Sequence, residues 1–275
     1  MTVRAFAFSE QANMDCAAVR AQERTGSCAL LLPMSANIDL FIRKLRARHH
    51  LSREEENALR GMRWGERRFE RHQMMVRSGE ELSESMLLTS GFALRCKFTP
   101  EGTRQIAEIN IPGDFIDLHG FILRRLDHEI TAASRCEIAT VPHSELMRVT
   151  EEFTRLNRVL WFQTLIDAAI HREWMLVLGK KRSRSRVAQL FCEMQSRMAV
   201  VGLPSDNGYS LPFNQQDLAD IAGMTPVHLN RCLKELKDAN LVTFRNGRVE
   251  FLDVKGLARE AQFVPDYLHL GQHDI

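Results

Sequence analysis

Residues 223–234 read GMTPVHLNRCLK, a turn-forming glycine run directly into a helix-forming stretch. Thr225 can cap a helix start, and Pro226 suits its first position, where a missing N–H costs nothing and the fixed φ is already helical. Leu229, Cys232, Leu233 and Leu236 then recur at three-four spacing and anchor one side. Val227, His228, Asn230, Arg231 and Lys234 remain mostly outside, crowded toward the N-terminal end.

Upstream, Asn214 can cap a helix that starts at Gln215, has Asp217 in its first turn, and continues through Leu218, Ala219, Ile221 and Ala222 until Gly223 stops it. Gly-Met-Thr is thus a tight turn between two helices. Ala219, Gly223 and Leu229 supply the small residue, turn glycine and apolar anchor expected of a closely packed helix-turn-helix. In such a unit the N-terminal end of the second helix enters the major groove and its exposed side chains meet base edges. Just beyond, LVTFRNGRVEFL places two short β runs around Asn246-Gly247, the strongest short hairpin signal available. Arg245 and Arg248 flank that wing, where they can neutralise phosphates. Consistency of caps, proline, exposed polar residues and a basic hairpin favours a reader of double-stranded DNA over a helical hairpin that merely packs.

The rest of the chain fits around this unit. Its 275 residues allow two domains, each with a real core. The balance of 44% hydrophobic and 26% charged residues is that of a soluble globular protein, and no apolar run approaches the length of a membrane span, so a cytoplasmic protein is expected. A formal net charge of +2 hides an uneven distribution: residues 180–248 carry a net +5 and the remainder −3, which puts a polyanion-binding surplus in the C-terminal third. The six cysteines stand singly, without CxxC pairs, which argues against a disulfide scaffold or a zinc module.

Residues 1–33 lack any sustained period and read as a poorly ordered extension, with Met34 a candidate start of the native product. Ser52, with Glu55 three residues on, predicts a capped short helix. From about 65 to 145 the period becomes two, with turns at Ser78-Gly79, Ser90-Gly91, Pro100-Gly102 and Pro112-Asp114, as in a compact antiparallel roll. Within it Phe92, Leu94, Cys96 and Phe98 fall on one face of a strand and Ala93, Arg95 and Lys97 on the other, predicting a half-buried strand. The absence of Gly and Pro from 143 to 178 predicts a helix of about thirty residues from Ser144, with room for an interruption near Thr150. Its stripe of Leu156, Val159, Leu160, Leu165, Ile166, Ala169, Ile170, Trp174 and Val177 is expected to pair with the same helix of a second copy, burial against the chain's own roll being the alternative. The run KKRSRSR after Gly179 reads as a hinge or a solvated face. The fold class is therefore α+β: a roll over 34–145, a dimerisation helix over 146–179, a winged helix-turn-helix over 180–262 and a tail over 263–275.

SGFALR…EGTRQIAEINIPGDF, the long helix and LADIAGMTPVHLNRCLKELKDANLV with its wing occur in the order that resembles the Crp/Fnr family of bacterial transcription regulators, over about residues 40–252. The resemblance implies a jelly-roll effector domain of cyclic-nucleotide-binding type, parallel pairing of the long helices, a palindromic promoter site and contact with RNA polymerase. Where the family commonly has a glutamate in its reading helix, this chain has Val227, which can meet a thymine methyl, while Asn230 suits adenine and Arg231 suits guanine.

The family's effectors fare less well. Its cyclic-nucleotide binders place an arginine before a Ser/Thr to hold the phosphate, but here Ile130 precedes Thr131, leaving Arg124 or Arg125 as substitutes. Iron-sulfur members use four cysteines, three of them near the N-terminus; here Cys16 and Cys28 stand alone there, with Cys136 a distant match. Haem-binding members suggest His119 as an axial ligand, but Asp117 replaces the neighbouring cysteine, so a satisfied histidine is the better reading. Iron-sulfur cluster, haem and cyclic nucleotide are all disfavoured, and Cys96 and Cys192 read as small core residues. Any effector pocket is expected around Asp114, Asp117, His119, Arg124, Arg125 and Thr131. The alternative function is a small-molecule or haem sensor whose C-terminal unit contacts protein; an enzyme of the double-stranded roll type lacks the clustered His and carboxylate ligands it needs.

Overall fold

A computed structural model describes residues 37–203 and 207–273. Met34, Cys16 and Cys28 lie outside the described residues, and with them the expectations about the N-terminal extension.

Helices α1 (Asp39–Arg46) and α2 (Arg53–Arg60) precede the roll. Ser52 caps α2 reciprocally: its hydroxyl accepts from the Glu55 N–H at 3.1 Å, and its own N–H donates to the Glu55 carboxylate at 2.8 Å. Strands β1 (Gly65–Phe69), β2 (Met74–Val76), β3 (Glu84–Ser90), β4 (Ala93–Phe98) and β5 (Arg104–Asn110), the short helix α3 (Gly120–Leu123), then β6 (Glu129–Ala132) and β7 (Cys136–Pro142) complete it. They form two antiparallel sheets in the orders β1-β7-β3 and β2-β6-β4-β5. The four expected turns lie at left-handed glycines: Gly79, Gly91, Gly102 and Gly113 all have positive φ. At Gly91 the requirement is double, since a Cβ would also stand 2.3 Å from the Arg135 carbonyl.

Strand β4 departs from the half-buried expectation. Ala93, Leu94, Arg95 and Cys96 are all buried, whereas Lys97 and Phe98 are exposed. Alternation fails because both faces are covered: Leu94 and Cys96 pack with the long helix and the helices after it, Ala93 packs with other residues of the roll, and Arg95 is kept by ion pairs instead of water.

The helical stretch is divided at Phe153 (φ −117°, ψ 83°) into α4 (His143–Glu152) and α5 (Thr154–Lys180), three residues beyond the expected interruption. Thr150 turns its hydroxyl back onto the Leu146 carbonyl at 2.8 Å, a bond that competes with the helix ladder just before the break. The stripe expected to meet a second copy is instead mostly buried in the chain itself. Leu156, Val159 and Leu160 pack with α1, α2 and β7, and Ile166, Ile170 and Trp174 with β4 and β5 and the helices that follow. Of the nine residues of that stripe only Leu165 is exposed, and with Trp161, Met175 and Leu176 it forms a second apolar face turned to solvent. The helix runs between the roll and the C-terminal unit, so it needs one apolar face for its own chain and shows another outward.

The C-terminal unit comprises α6 (Ser183–Val201), β8 (Gly208–Ser210), α7 (Gln215–Ala222), α8 (Pro226–Asp238), β9 (Val242–Arg245), β10 (Arg248–Phe251) and α9 (Val254–Ala261), with a sheet in the order β8-β10-β9. Residues 263–273 are tied to the rest of the chain: Pro265–Leu268 form a 3-10 turn with Leu268 buried, and Arg48 donates to the Leu268 and His269 carbonyls at 3.2 and 3.1 Å.

Candidate nucleic-acid interface

Two capped helices set the geometry of the reader. Asn214 and Asp217 form a capping box: the Asn214 side chain accepts from the Asp217 N–H at 2.8 Å, and the Asp217 carboxylate accepts from the Asn214 N–H at 3.2 Å. Gly223 ends α7 in the left-handed conformation at φ +61°. A Cβ there would also meet the Leu178 side chain at 3.1 Å, so backbone conformation and packing both favour glycine. Thr225 caps α8, accepting from the His228 N–H at 3.3 Å, with Pro226 at the first position. Leu229, Cys232 and Leu236 are buried, and Leu233 is half-buried.

What remains is a polar tip with an apolar point. Val227 is 81% exposed, and Asn230, Arg231 and Lys234 are exposed beside it. Asn230 donates to the Gln215 side chain at 3.0 Å, and Arg231 stands 3.2 Å from the His228 ring. The wing closes as the sequence predicts, with Asn246 and Gly247 at φ +51° and +70° and Arg245 paired across the hairpin with Arg248. Both arginines are exposed and meet no carboxylate among the described residues.

A cleft of about 620 Å³ runs between α7, α8 and the wing, lined by Asn214, Gln215, Asn230, Lys234, Lys237 and Arg245. Of the residues named from sequence, Asn214, Gln215, Asn230, Lys234 and Arg245 thus share one cleft, while His228 and Arg231 line another beside the basic run at 180–186. Lys237 was missed; one turn beyond Lys234 on the same helix face, it was legible from the three-residue spacing. The basic run at 180–186 turns partly inward. Arg184 pairs with Glu260, Lys181 donates to the Ala261 carbonyl at 2.9 Å, and Arg186 donates to the Ala222 carbonyl at 3.3 Å, so the run binds α5, α7 and α9 together as well as facing solvent.

The residues expected around an effector are not gathered. Asp114 is buried between Lys44 at 2.6 Å and Arg197 at 3.0 Å, tying the roll to α6. Asp117 is buried and accepts from the Met86 N–H at 2.7 Å. Arg124 stands 2.9 Å from the His143 ring, Arg125 pairs with Glu81 at 2.8 Å, and Thr131 lies 3.8 Å from the Cys96 sulfur. Only His119 lines the cavity of about 480 Å³ between the roll and α5, together with Arg95, Asp127, His128, Asp167 and His171.

The charges in that cavity are already committed. Arg95 donates to Glu108 at 2.5 Å and to Asp167 at 3.2 Å, His171 meets Glu108 at 2.9 Å, and Lys97 meets Asp127 at 2.7 Å. Burial, with Glu108 beside it, raises the Asp167 carboxyl to about 6, and burial lowers His119 to about 3, so this imidazole is neutral at pH 7. These donors do not fit a cyclic phosphate: Ile130 is fully buried where the clamp would stand, and neither Arg124 nor Arg125 lines the space. Cys96, Cys136 and Cys192 are buried, and burial pushes Cys192 up to about 12, as befits a core thiol. Among the described residues no group of three His, Cys, Asp or Glu is arranged to hold a metal ion, and no helix is long and apolar enough to cross a membrane.

Residues 66–153 match the cyclic nucleotide-binding domain and residues 185–260 the Crp-like helix-turn-helix domain. The chain is 27% identical over 202 residues to the transcriptional activator protein FnrL of Cereibacter sphaeroides, covering 71% of this chain and 79% of that one. It is also 27% identical over 184 residues to the nitrogen fixation regulation protein FixK of Bradyrhizobium diazoefficiens, covering 65% and 74%. In fold it resembles FixK2 from Bradyrhizobium japonicum, with a TM-score of 0.66 at 22% identity over 71% of this chain and 96% of that one. The roll and the helix-turn-helix unit fall within the two matched domains, and the chain belongs to the Crp/Fnr family of transcription regulators.

Proposed function

We propose that this regulator acts as a homodimer on a palindromic promoter site in the cytoplasm, with RNA polymerase as its eventual partner and the roll as the modulating domain. The observation that carries the reading is the exposed tip of α8, where Val227, Asn230 and Arg231 stand clear of the core beside a basic wing. Asn230 pairs with adenine, Arg231 with guanine O6 and N7, and Val227 meets a thymine methyl. Gln215, Lys234, Arg245 and Arg248 hold phosphates and set register, as does the N-terminus of α7 capped by Asn214.

Dimerisation uses the outer face of α5. Two tips so joined meet successive major grooves about 34 Å apart. The roll contributes through its packing on α5 and α6, and any effector acts by shifting the population of reader orientations. Catalysis is no part of this reading.

Genome-wide mapping of binding sites with the wild type and Arg231→Ala tests it. A two-fold symmetric motif recovered by the wild type and lost by the variant is the expected result. The same motif from both, or none from the wild type, contradicts the assignment.

A further inference from the structure

Strand β5 presents adjoining residues in two directions. Gln105, Ile106 and Ala107 line the cavity between the roll and α5. Arg104 and Gln105 also reach α7, the first helix of the reader. The Arg104 guanidinium donates to Asp217 at 2.7 Å and to Asp220 at 2.6 Å, and the Gln105 amide donates to the Asp220 carbonyl at 2.7 Å.

The grip falls on a sensitive point. Asp217 is buried, and its second oxygen closes the capping box on the Asn214 N–H. A fork that engages two carboxylates one helical turn apart fixes both the position and the rotation of the helix. Gln215, the next residue after the cap, holds Asn230 of the reading helix. Hydrogen bonds therefore run from the cavity wall through β5 to the capped first turn of α7, and the peptide link from Asn214 to Gln215 carries the connection on to Asn230.

We propose that Arg104, with Gln105, is a positioning residue that latches the reading unit to the roll, and that β5 conveys the state of the cavity to the reader through this latch. The inference rests on the DNA-binding reading above. The latched arrangement leaves Val227, Asn230, Arg231, Arg245 and Arg248 exposed, so it presents the reading face and does not cover it. Without the latch, α7 must be ordered anew each time two tips engage one site, and binding weakens.

The test uses the full-length dimer and a fluorescent duplex carrying the mapped site. Arg104→Ala is expected to weaken binding about tenfold, with Arg104→Lys intermediate because it keeps the charge and loses the fork. Asp220→Asn, which leaves the Asp217 pair intact, is expected to give a smaller loss and keeps the test open if Arg104→Ala folds poorly. Faster hydrogen exchange of the α7 amides at an unchanged melting temperature separates loss of position from loss of fold. Equal or tighter binding by both Arg104→Ala and Asp220→Asn overturns the latch.

Transmission is tested by Ala107→Phe, which fills the cavity from β5. Its effect on affinity should shrink in the Arg104→Ala background, and simple additivity overturns the relay. Failure of the wild type to bind any duplex specifically would instead remove the DNA-binding reading, a different outcome from an indifferent Arg104.

Discussion

Asn230, one turn into the reading helix, donates its side-chain amide to the Gln215 side chain at the start of α7, at 3.0 Å. The residue assigned to adenine is therefore oriented by the other helix of the pair. Pre-orientation lowers the entropy lost when a side chain engages a base edge.

Asn230→Ala and Arg231→Ala should each remove about 1–3 kcal/mol of discrimination between the site and a scrambled duplex while leaving nonspecific binding in place. Gln215→Ala should blunt the preference at the Asn230 position by a smaller amount. The double variant Gln215→Ala/Asn230→Ala should discriminate no worse than Asn230→Ala alone, because Gln215 affects base preference only through Asn230. Fluorescence anisotropy on single-base-substituted duplexes measures all four variants.

Arg245 and Arg248 face each other across the wing and meet no carboxylate among the described residues. Replacing either by alanine should weaken binding about equally on every sequence. The slope of log affinity against log salt should become shallower by about 0.9 for each phosphate that is no longer neutralised. A variant that alters sequence preference and leaves the salt slope unchanged would assign the wing to base reading.

Trp161, Leu165, Ala168 and Met175 follow a four-three rhythm along the outward face of α5, with Trp161 65% and Met175 74% exposed. Leu165→Asp should yield a folded monomer by light scattering, with little change in far-ultraviolet circular dichroism. Ile166→Asp, one residue along and buried, should instead cost several kcal/mol and destabilise the fold, because it buries an unpaired charge. A dimeric Leu165→Asp would move the interface elsewhere.

That contrast also explains what sequence pattern could and could not convey. Caps, the turn glycine and the Asn-Gly hairpin are local devices, each specified by residues within four positions of one another, and every one lies where the sequence placed it. The apolar stripe of α5 was visible too, but periodicity reports that a face is buried and not by what; the inner stripe meets the chain's own roll and reader. Arg95 illustrates the same limit. An arginine at an alternating position reads as solvent-facing until Glu108 and Asp167, from a neighbouring strand and from α5, are seen to neutralise it. Asp114 and Arg197 meet across 83 residues, a pairing that no local pattern encodes. The six residues proposed around an effector were drawn from one contiguous segment, which wraps around the roll and disperses them.

Asp117, one of those six, gives a pH signature. Its carboxylate is fully buried, with one oxygen accepting from the Met86 N–H and the other without a hydrogen-bond partner among the described residues. Burial raises it to about 7, against the pull of the Met86 N–H and Arg95. An unfolded aspartate titrates near 3.9, so the native state holds this proton more tightly. The stability it contributes is fully present below about pH 4 and is lost as pH rises through about 7. Asp117→Asn keeps an acceptor for Met86 and removes the ionisation, so its gain in melting temperature should be larger at pH 8 than at pH 5. Each kcal/mol gained would appear as about 2–4 °C in a chain of this size. Asp167, raised to about 6, titrates in the same window and remains in the variant, so the pH profile should flatten without becoming level. An equal shift at both pH values would mean that the buried carboxylate ionises without penalty.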